Sequence, residues 1–194
     1  MDTPLFSELI AAQVGGISAQ AAALLNGQLA LAQKPKGQLL VRQGQVATRL
    51  YFLVTGSCRY YATKGSQEVT TWFGFSNEFV TPYISFFKQQ PSYESIELME
   101  DSSFFKISHH KLQQLRQQSA EVERIVNHFN MAYTIQLEER LFVLQTSTAK
   151  EKYQHMLTQH PQLVQRIPSK HLASYLGITR ETLSRMRAEL RLPG

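Results

Sequence analysis

The 194-residue sequence predicts an α+β chain: an N-terminal antiparallel β-roll, a long helix, and a C-terminal pair of close-set helices. Three observations predict it. Six short β-favouring runs punctuated by glycines lie between residues 38 and 107, a pattern of antiparallel strands folded into a roll, sandwich or barrel. The stretch Ala120–Gln145 has no Gly or Pro and repeats apolar residues at steps of three and four, the mark of an amphipathic helix. The net charge of +5 sits entirely in the last quarter, because residues 1–147 carry 12 basic and 12 acidic side chains whereas residues 148–194 carry 8 and 3. A neutral body joined to a small basic module points to a polyanionic partner.

Composition narrows the class further. At 43% hydrophobic and 18% charged residues the chain reads as globular rather than disordered. No run approaches the ~20 apolar residues of a membrane span. No Lys or Arg precedes Lys34, so the start lacks the basic region of a secretory signal, and the cytoplasm is the expected location. The single cysteine, Cys58, excludes an intrachain disulfide, a cysteine zinc site and a thiolate-ligated iron–sulfur cluster.

In chain order, residues 5–31 carry scattered apolar positions at helical spacing, broken by Gly15-Gly16, and read as one or two short helices. The runs Gln38–Arg42, Leu50–Thr55, Ser57–Ala62, Glu68–Phe73, Tyr93–Met99 and Ser103–Ile107 follow as strands, with Thr55-Gly56 read as a hairpin turn. Ser108 can cap a short helix reaching Gln118. On the long helix, Val122, Ile125, Phe129, Tyr133, Leu137, Leu141 and Leu144 form one stripe. Its near-heptad spacing favours pairing with a second copy over packing on the chain's own roll. A helix over residues 149–159 ends at His160-Pro161, Gln162–Arg166 follows, and Pro168 precedes the last two helices. The expected division is a roll over 1–118, a dimerisation helix over 119–146 and a reading module over 147–194.

The densest signal runs from Ser169 to Leu190. Leu172, Ala173 and Leu176 share one helix face, Gly177 stands where a left-handed residue ends a helix, and Ile178 fills the turn. Thr179 is placed to cap a second helix whose Leu183, Met186 and Leu190 point inward. These spacings are those of a helix-turn-helix, whose second helix offers its N-terminal side chains to the DNA major groove. Its outer face holds Arg180, Glu181, Ser184, Arg185 and Arg187. Arg180 and Arg185 suit bidentate bonding to guanine, and Glu181 suits cytosine or, equally, the helix N-terminus itself. Lys170, Thr179 and Ser184 suit backbone phosphates.

A roll, a long helix and a terminal helix-turn-helix together resemble the CRP/FNR (cyclic-AMP receptor protein) family of bacterial transcription regulators. LYFLVTGSCRYY resembles that family's roll hairpin, and ITRETLSR its recognition helix, with Arg180, Glu181, Thr182 and Arg185 matching the Arg-Glu-Thr-x-x-Arg string. The resemblance spans about residues 20–190. It implies a cyclic-nucleotide-binding-like roll and a homodimer, joined through the long helix, on a near-palindromic duplex site, with RNA polymerase as a further partner. Two departures stand out. The family's Gly-Glu pair falls on Asn77-Glu78, and its phosphate-binding Arg-Ser/Thr-Ala string falls on about Ser92-Tyr93-Glu94, without arginine; none occurs from Tyr60 to Leu115. Glu78, Tyr93 and, as a substitute point charge, Lys88 are the effector-pocket candidates, and cyclic AMP in the usual pose is not expected. The sequence also stops at Arg191-Leu-Pro-Gly194, so either the wing is reduced to its upstream part or the chain is truncated here, and fewer phosphate contacts are expected.

Other chemistries find little footing. The first histidine, His109, follows the last strand run, so no inward-facing set of histidines and carboxylates forms a cupin-like metal site. No triad, phosphate loop or paired-carboxylate signature occurs. The aromatics from Trp72 to Tyr93 read first as roll core and second as an apolar ligand pocket. The expectation is therefore a transcription regulator, not an enzyme, with no metal or cofactor and with an unidentified small-molecule effector. The alternatives are a ligand-independent binder with a structural roll, or a protein–protein signalling module using the helix-turn-helix.

Overall fold

The computed structural model describes residues 5–159 and 161–190. Helices α1 (Phe6–Val14) and α2 (Ala19–Gln28) open it. The Ser18 hydroxyl caps α2 by accepting from the Ala21 N–H at 3.1 Å, one of the donors a helix start leaves unpaired. The roll contains β1 (Ala30–Lys34), β2 (Leu39–Val41), β3 (Arg49–Thr55), β4 (Ser57–Lys64), β5 (Gln67–Phe75), β6 (Phe79–Val80), the short helix α3 (Tyr83–Lys88), β7 (Ser95–Leu98) and β8 (Ser102–Ser108). Two antiparallel four-stranded sheets result, in the orders β1-β8-β3-β6 and β2-β7-β4-β5. Leu53, Ile96, Leu98 and Phe104 are almost wholly buried in the roll's core, and Phe52, on the opposite face of β3, is buried beneath α1. Each such side chain stabilises the roll by roughly 1.5–3 kcal/mol. Phe6 of α1 closes one end, edge-on to Phe52 at 5.5 Å and to Phe105 at 5.4 Å.

Thr55-Gly56 is not a hairpin turn. β3 pairs with β6 and β8, whereas β4 pairs with β5 and β7, so the chain changes sheets at this point. Gly56 adopts φ 108°, and a β-carbon there would collide with Ser102. Only glycine allows so abrupt a corner. The true hairpin is β4–β5, closed by Gly65-Ser66 between the paired Lys64 and Gln67.

The remaining elements are α4 (His109–Gln118), α5 (Ala120–Thr146), α6 (Ala149–Gln159), α7 (Pro161–Arg166), α8 (Ser169–Leu176) and α9 (Arg180–Leu190). Ser108 caps α4 and Ser119 caps α5, each through a 3.3 Å bond from the N–H three residues on. Arg116 and Glu123 clamp the α4–α5 corner through bonds of 2.6 and 3.0 Å.

Helix α5 is divided in role. Val122 and Ile125 are buried in the core of this chain's own roll, which corrects their assignment to an interface between copies. Phe129 meets Phe79 at 4.8 Å and Tyr133 stacks on Tyr83 at 3.9 Å, so both of these also pack on the roll. The apolar face of the first turns is used up by the nearest hydrophobic surface. Beyond it Met131, Ile135, Leu137, Leu141, Phe142 and Leu144 are exposed.

The C-terminal helices have their own core of Tyr153, Met156, Val164, Ile167, Leu172, Ala173, Leu176, Leu183 and Met186. Phe73 and Phe75 of β5 join that cluster, seating the module on the roll. The Leu190 side chain, His160 and residues 191–194, and with them the expected wing, lie outside the described residues.

Candidate nucleic-acid interface and effector cavity

The α8–α9 turn is built by Gly177 at φ 70°. The Ile178 N–H donates to the Ala173 carbonyl at 3.0 Å and the Gly177 N–H to that of Ser174 at 3.2 Å, the paired closure that wants a left-handed residue. Thr179 then caps α9, its hydroxyl accepting from the Thr182 N–H at 3.1 Å. Beneath the turn Leu172, Ala173, Leu176, Leu183 and Met186 are buried, and Ile178 packs partly against them.

On the opposite face Lys170, Thr179, Arg180, Glu181, Ser184 and Arg185 are all exposed, at the first turns of α9 and the start of α8. The backbone N–H of Glu181 itself and the Thr179 hydroxyl hold its carboxyl below the usual carboxylate range. That geometry is a helix-start contact, and it leaves the carboxylate at the surface. Arg187 departs from the outward placement. Its Nε donates to the Tyr153 hydroxyl at 3.1 Å and its Nη1 to the Ser169 hydroxyl at 3.0 Å, so it braces α9 against α6 and α8.

The module is held to the roll by polar contacts around helix α8. Arg59 of β4, only 3% exposed, bonds Glu68 and Glu97 at 2.8 Å each and reaches the His171 Nδ1 at 2.8 Å. The Thr70 N–H donates to the Ser174 hydroxyl at 3.0 Å, and Arg166 pairs with Glu100. Burial, with the charges of Arg59 and Lys170, pulls His171 down to about 4, against the opposing pull of Glu97 and Glu68.

A cavity of about 370 Å³ opens between the roll and α5, within the range of small-molecule sites. Tyr60, Thr71 and Trp72 line it from the second sheet, Glu78 from the loop after β5, and Tyr133 and Arg140 from α5. Glu78 is pushed up to about 7 by burial, although its carboxylate accepts from the Phe75 N–H at 3.0 Å. Burial raises Glu94 as well, while the Thr71 hydroxyl at 2.5 Å and Arg140 pull it back. Of the three effector-pocket candidates the structure brings only Glu78 to this cavity. Lys88 ends α3 exposed to solvent and Tyr93 is 68% exposed before β7, and neither lines the cavity. Arg140 is the residue that sequence reasoning missed. The roll has no arginine to offer here, but α5 delivers one from far along the chain. Its guanidinium lies 4.2 Å over the Trp72 ring and 5.2 Å from that of Tyr175 in α8.

Cys58 is fully buried, and burial pushes its thiol upward, so it is an inert packing residue. Among the described residues no group of three His, Cys, Asp or Glu is placed to hold a metal ion, and no helix is long and apolar enough to cross a membrane.

Residues 32–119 match the family model for the cyclic nucleotide-binding domain. No curated protein matches by sequence. Among solved structures the chain is similar to FixK2 from Bradyrhizobium japonicum, with 18% identity and a TM-score of 0.72 over 84% of each chain. It is also similar to the c-di-GMP-responsive global regulator CLP of Xanthomonas campestris, with 21% identity and a TM-score of 0.68 over 90% of this chain and 92% of that one. A third likeness is to the catabolite activator protein of Thermus thermophilus, with 20% identity and a TM-score of 0.57 over 96% and 91%.

Proposed function

We propose that this chain, whose roll belongs to the cyclic nucleotide-binding domain family and whose architecture is that of the CRP/FNR transcription regulators, is itself a sequence-specific regulator that binds double-stranded DNA as a homodimer. One observation carries the reading. The described apolar positions Leu172, Ala173, Leu176, Ile178, Leu183 and Met186 are buried or packed beneath the turn, while Arg180, Ser184 and Arg185 are exposed on the surface at the start of α9. In this account Arg180 and Arg185 read guanine edges, and Lys170, Thr179 and Ser184 hold phosphates. Glu181 contributes chiefly to the start of α9, and cytosine is its secondary contact.

The second copy is proposed to cover the outer half of α5. Leu137, Leu141 and Leu144, with Met131, Ile135 and Phe142, would otherwise leave a large apolar patch in water. Pairing there would set two α9 helices about one DNA turn apart, ~34 Å, on a near-palindromic site. The chain is read as a non-enzymatic cytoplasmic protein with RNA polymerase as a further partner. The 370 Å³ cavity favours an effector-responsive roll over a purely structural one. Glu94, part-buried on the cavity wall, opposes the cyclic phosphate of cyclic AMP, so that nucleotide in the usual pose is not the expected ligand.

Fluorescence anisotropy with labelled duplex DNA tests the reading. Binding should weaken steeply between roughly 50 and 200 mM salt, as released counterions require. Removing Arg180 and Arg185 together should abolish selectivity. Salt-independent or absent duplex binding by the folded dimer would favour a protein–protein role for the helix-turn-helix.

A further inference from the structure

A second cavity, of about 210 Å³, lies beside the first at the junction of the roll, α5, α6 and α8. Phe73, Phe75 and Met156 give it an apolar floor. Arg140 of α5 and Lys152 and His155 of α6 supply nitrogen groups, facing the acids Glu78 and Glu139. Trp72 and Tyr175 complete the wall around Arg140. Arg140 is the unusual member. Among the described residues it makes no hydrogen bond or ion pair, and its Nε is buried without an acceptor. Arg59 also has a buried Nε without an acceptor, but its terminal nitrogens hold two carboxylates and a histidine, whereas those of Arg140 hold none. A desolvated donor lacking an acceptor costs free energy that a ligand oxygen would recover.

We infer that this junction cavity binds a small organic monoanion with an apolar ring, of the aromatic carboxylate class, as a site beside the roll's larger cavity. The carboxylate would take the Arg140 fork, for which the planar guanidinium is shaped. Lys152 would lend a second positive charge, and the ring would lie over Phe73, Phe75 and Met156. Glu78 and Glu139 disfavour a dianion such as phosphate. The volume is below the ~300 Å³ at which drug-sized sites begin, which restricts the ligand to about one ring. Because Trp72 belongs to the roll and Tyr175 to α8, an occupant would fix the module's seat on the roll. That last consequence rests on the DNA-binding reading; the site itself does not.

Trp72 is the sole tryptophan and stacks on Arg140, so its emission reports on the site directly in the DNA-free protein. Titration with benzoate should change that emission saturably, and benzylamine should not. Arg140→Gln should weaken benzoate binding by about tenfold or more, the loss expected for a charge-assisted bond. Lys88→Gln, which is remote from the cavity, should leave binding unchanged. Should Arg140→Gln fail to fold, as judged by thermal melting, Arg140→Lys keeps the charge but loses the fork and should still weaken binding. No saturable change in the folded wild type, or an equal response in the Arg140 variant, overturns the site. Inorganic phosphate binding more tightly than benzoate overturns the ligand class. Benzoate binding that leaves duplex affinity unchanged overturns only the coupling to α8.

Discussion

Acid should loosen the seat of the C-terminal helical module, and His171 is the group that makes it do so. Its Nδ1 lies 2.8 Å from an Arg59 nitrogen, and arginine can only donate, so the imidazole must accept and be neutral. Protonation would set two cations against each other. Burial is the largest cause of its fall from 6.5 to about 4; Arg59 and Lys170 add to it, and Glu97 and Glu68 oppose. A depressed pKa means that the seated form is favoured above pH 6.5 and loses that advantage as pH falls toward 4. Between pH 7 and 5 the full linkage would be about 20-fold. His171 is partly exposed, so water screens the interaction and the expected effect is closer to ~1 kcal/mol, a factor of about five. The Thr70 N–H, which donates to Ser174 of α8, is the natural reporter. Its hydrogen-exchange protection, corrected for intrinsic rate, should fall about fivefold from pH 7 to 5 in the wild type. In His171→Gln, where the amide oxygen can still accept from Arg59, the fall should vanish. An identical fall in both proteins, or none in the wild type, would refute the reasoning.

Three further outcomes follow from the same geometry. Arg185→Ala should cost ~1–3 kcal/mol on the preferred duplex while nearly sparing non-specific binding; an equal loss on all sequences by anisotropy would make Arg185 a phosphate contact. Leu137→Glu should convert dimer to monomer by sedimentation, since it places a charge on the exposed half of α5; an unchanged profile would reject that interface. Cyclic AMP at millimolar concentration should leave the melting temperature unmoved, because only a ligand of the native state shifts it; a rise of several degrees would refute the argument that this cavity excludes the nucleotide.

Features fixed by local chemistry were legible in the sequence. Ser108 capping α4, the uninterrupted α5, and Gly177 between two amphipathic helices each depend on residues within one or two turns of each other. Features made by distant pairing were not. β1 reads ALAQK, with no β-branched residue, and is a strand because it pairs with β8. β6 has two residues, and α3 is a six-residue turn whose aromatic run suits a strand equally well. Thr55-Gly56 looked like a hairpin because the flanking runs are adjacent in sequence, yet their partners lie in different sheets. The candidate reading face on α9 could be proposed residue by residue, apart from Arg187, which finds Tyr153 and Ser169 only once α6 and α8 have packed. The cavity proposed for an effector is lined from β4, β5 and α5, so neighbours of Glu94 in sequence misled and Arg140 went unseen.

The most direct test of the central claim is selection of the purified protein against a random duplex library with no added ligand, repeated with benzoate present. The account predicts enrichment of a near-palindrome with half-sites about one helical turn apart, and loss of that enrichment in Arg185→Ala. A folded dimer that enriches no sequence in either selection would contradict it.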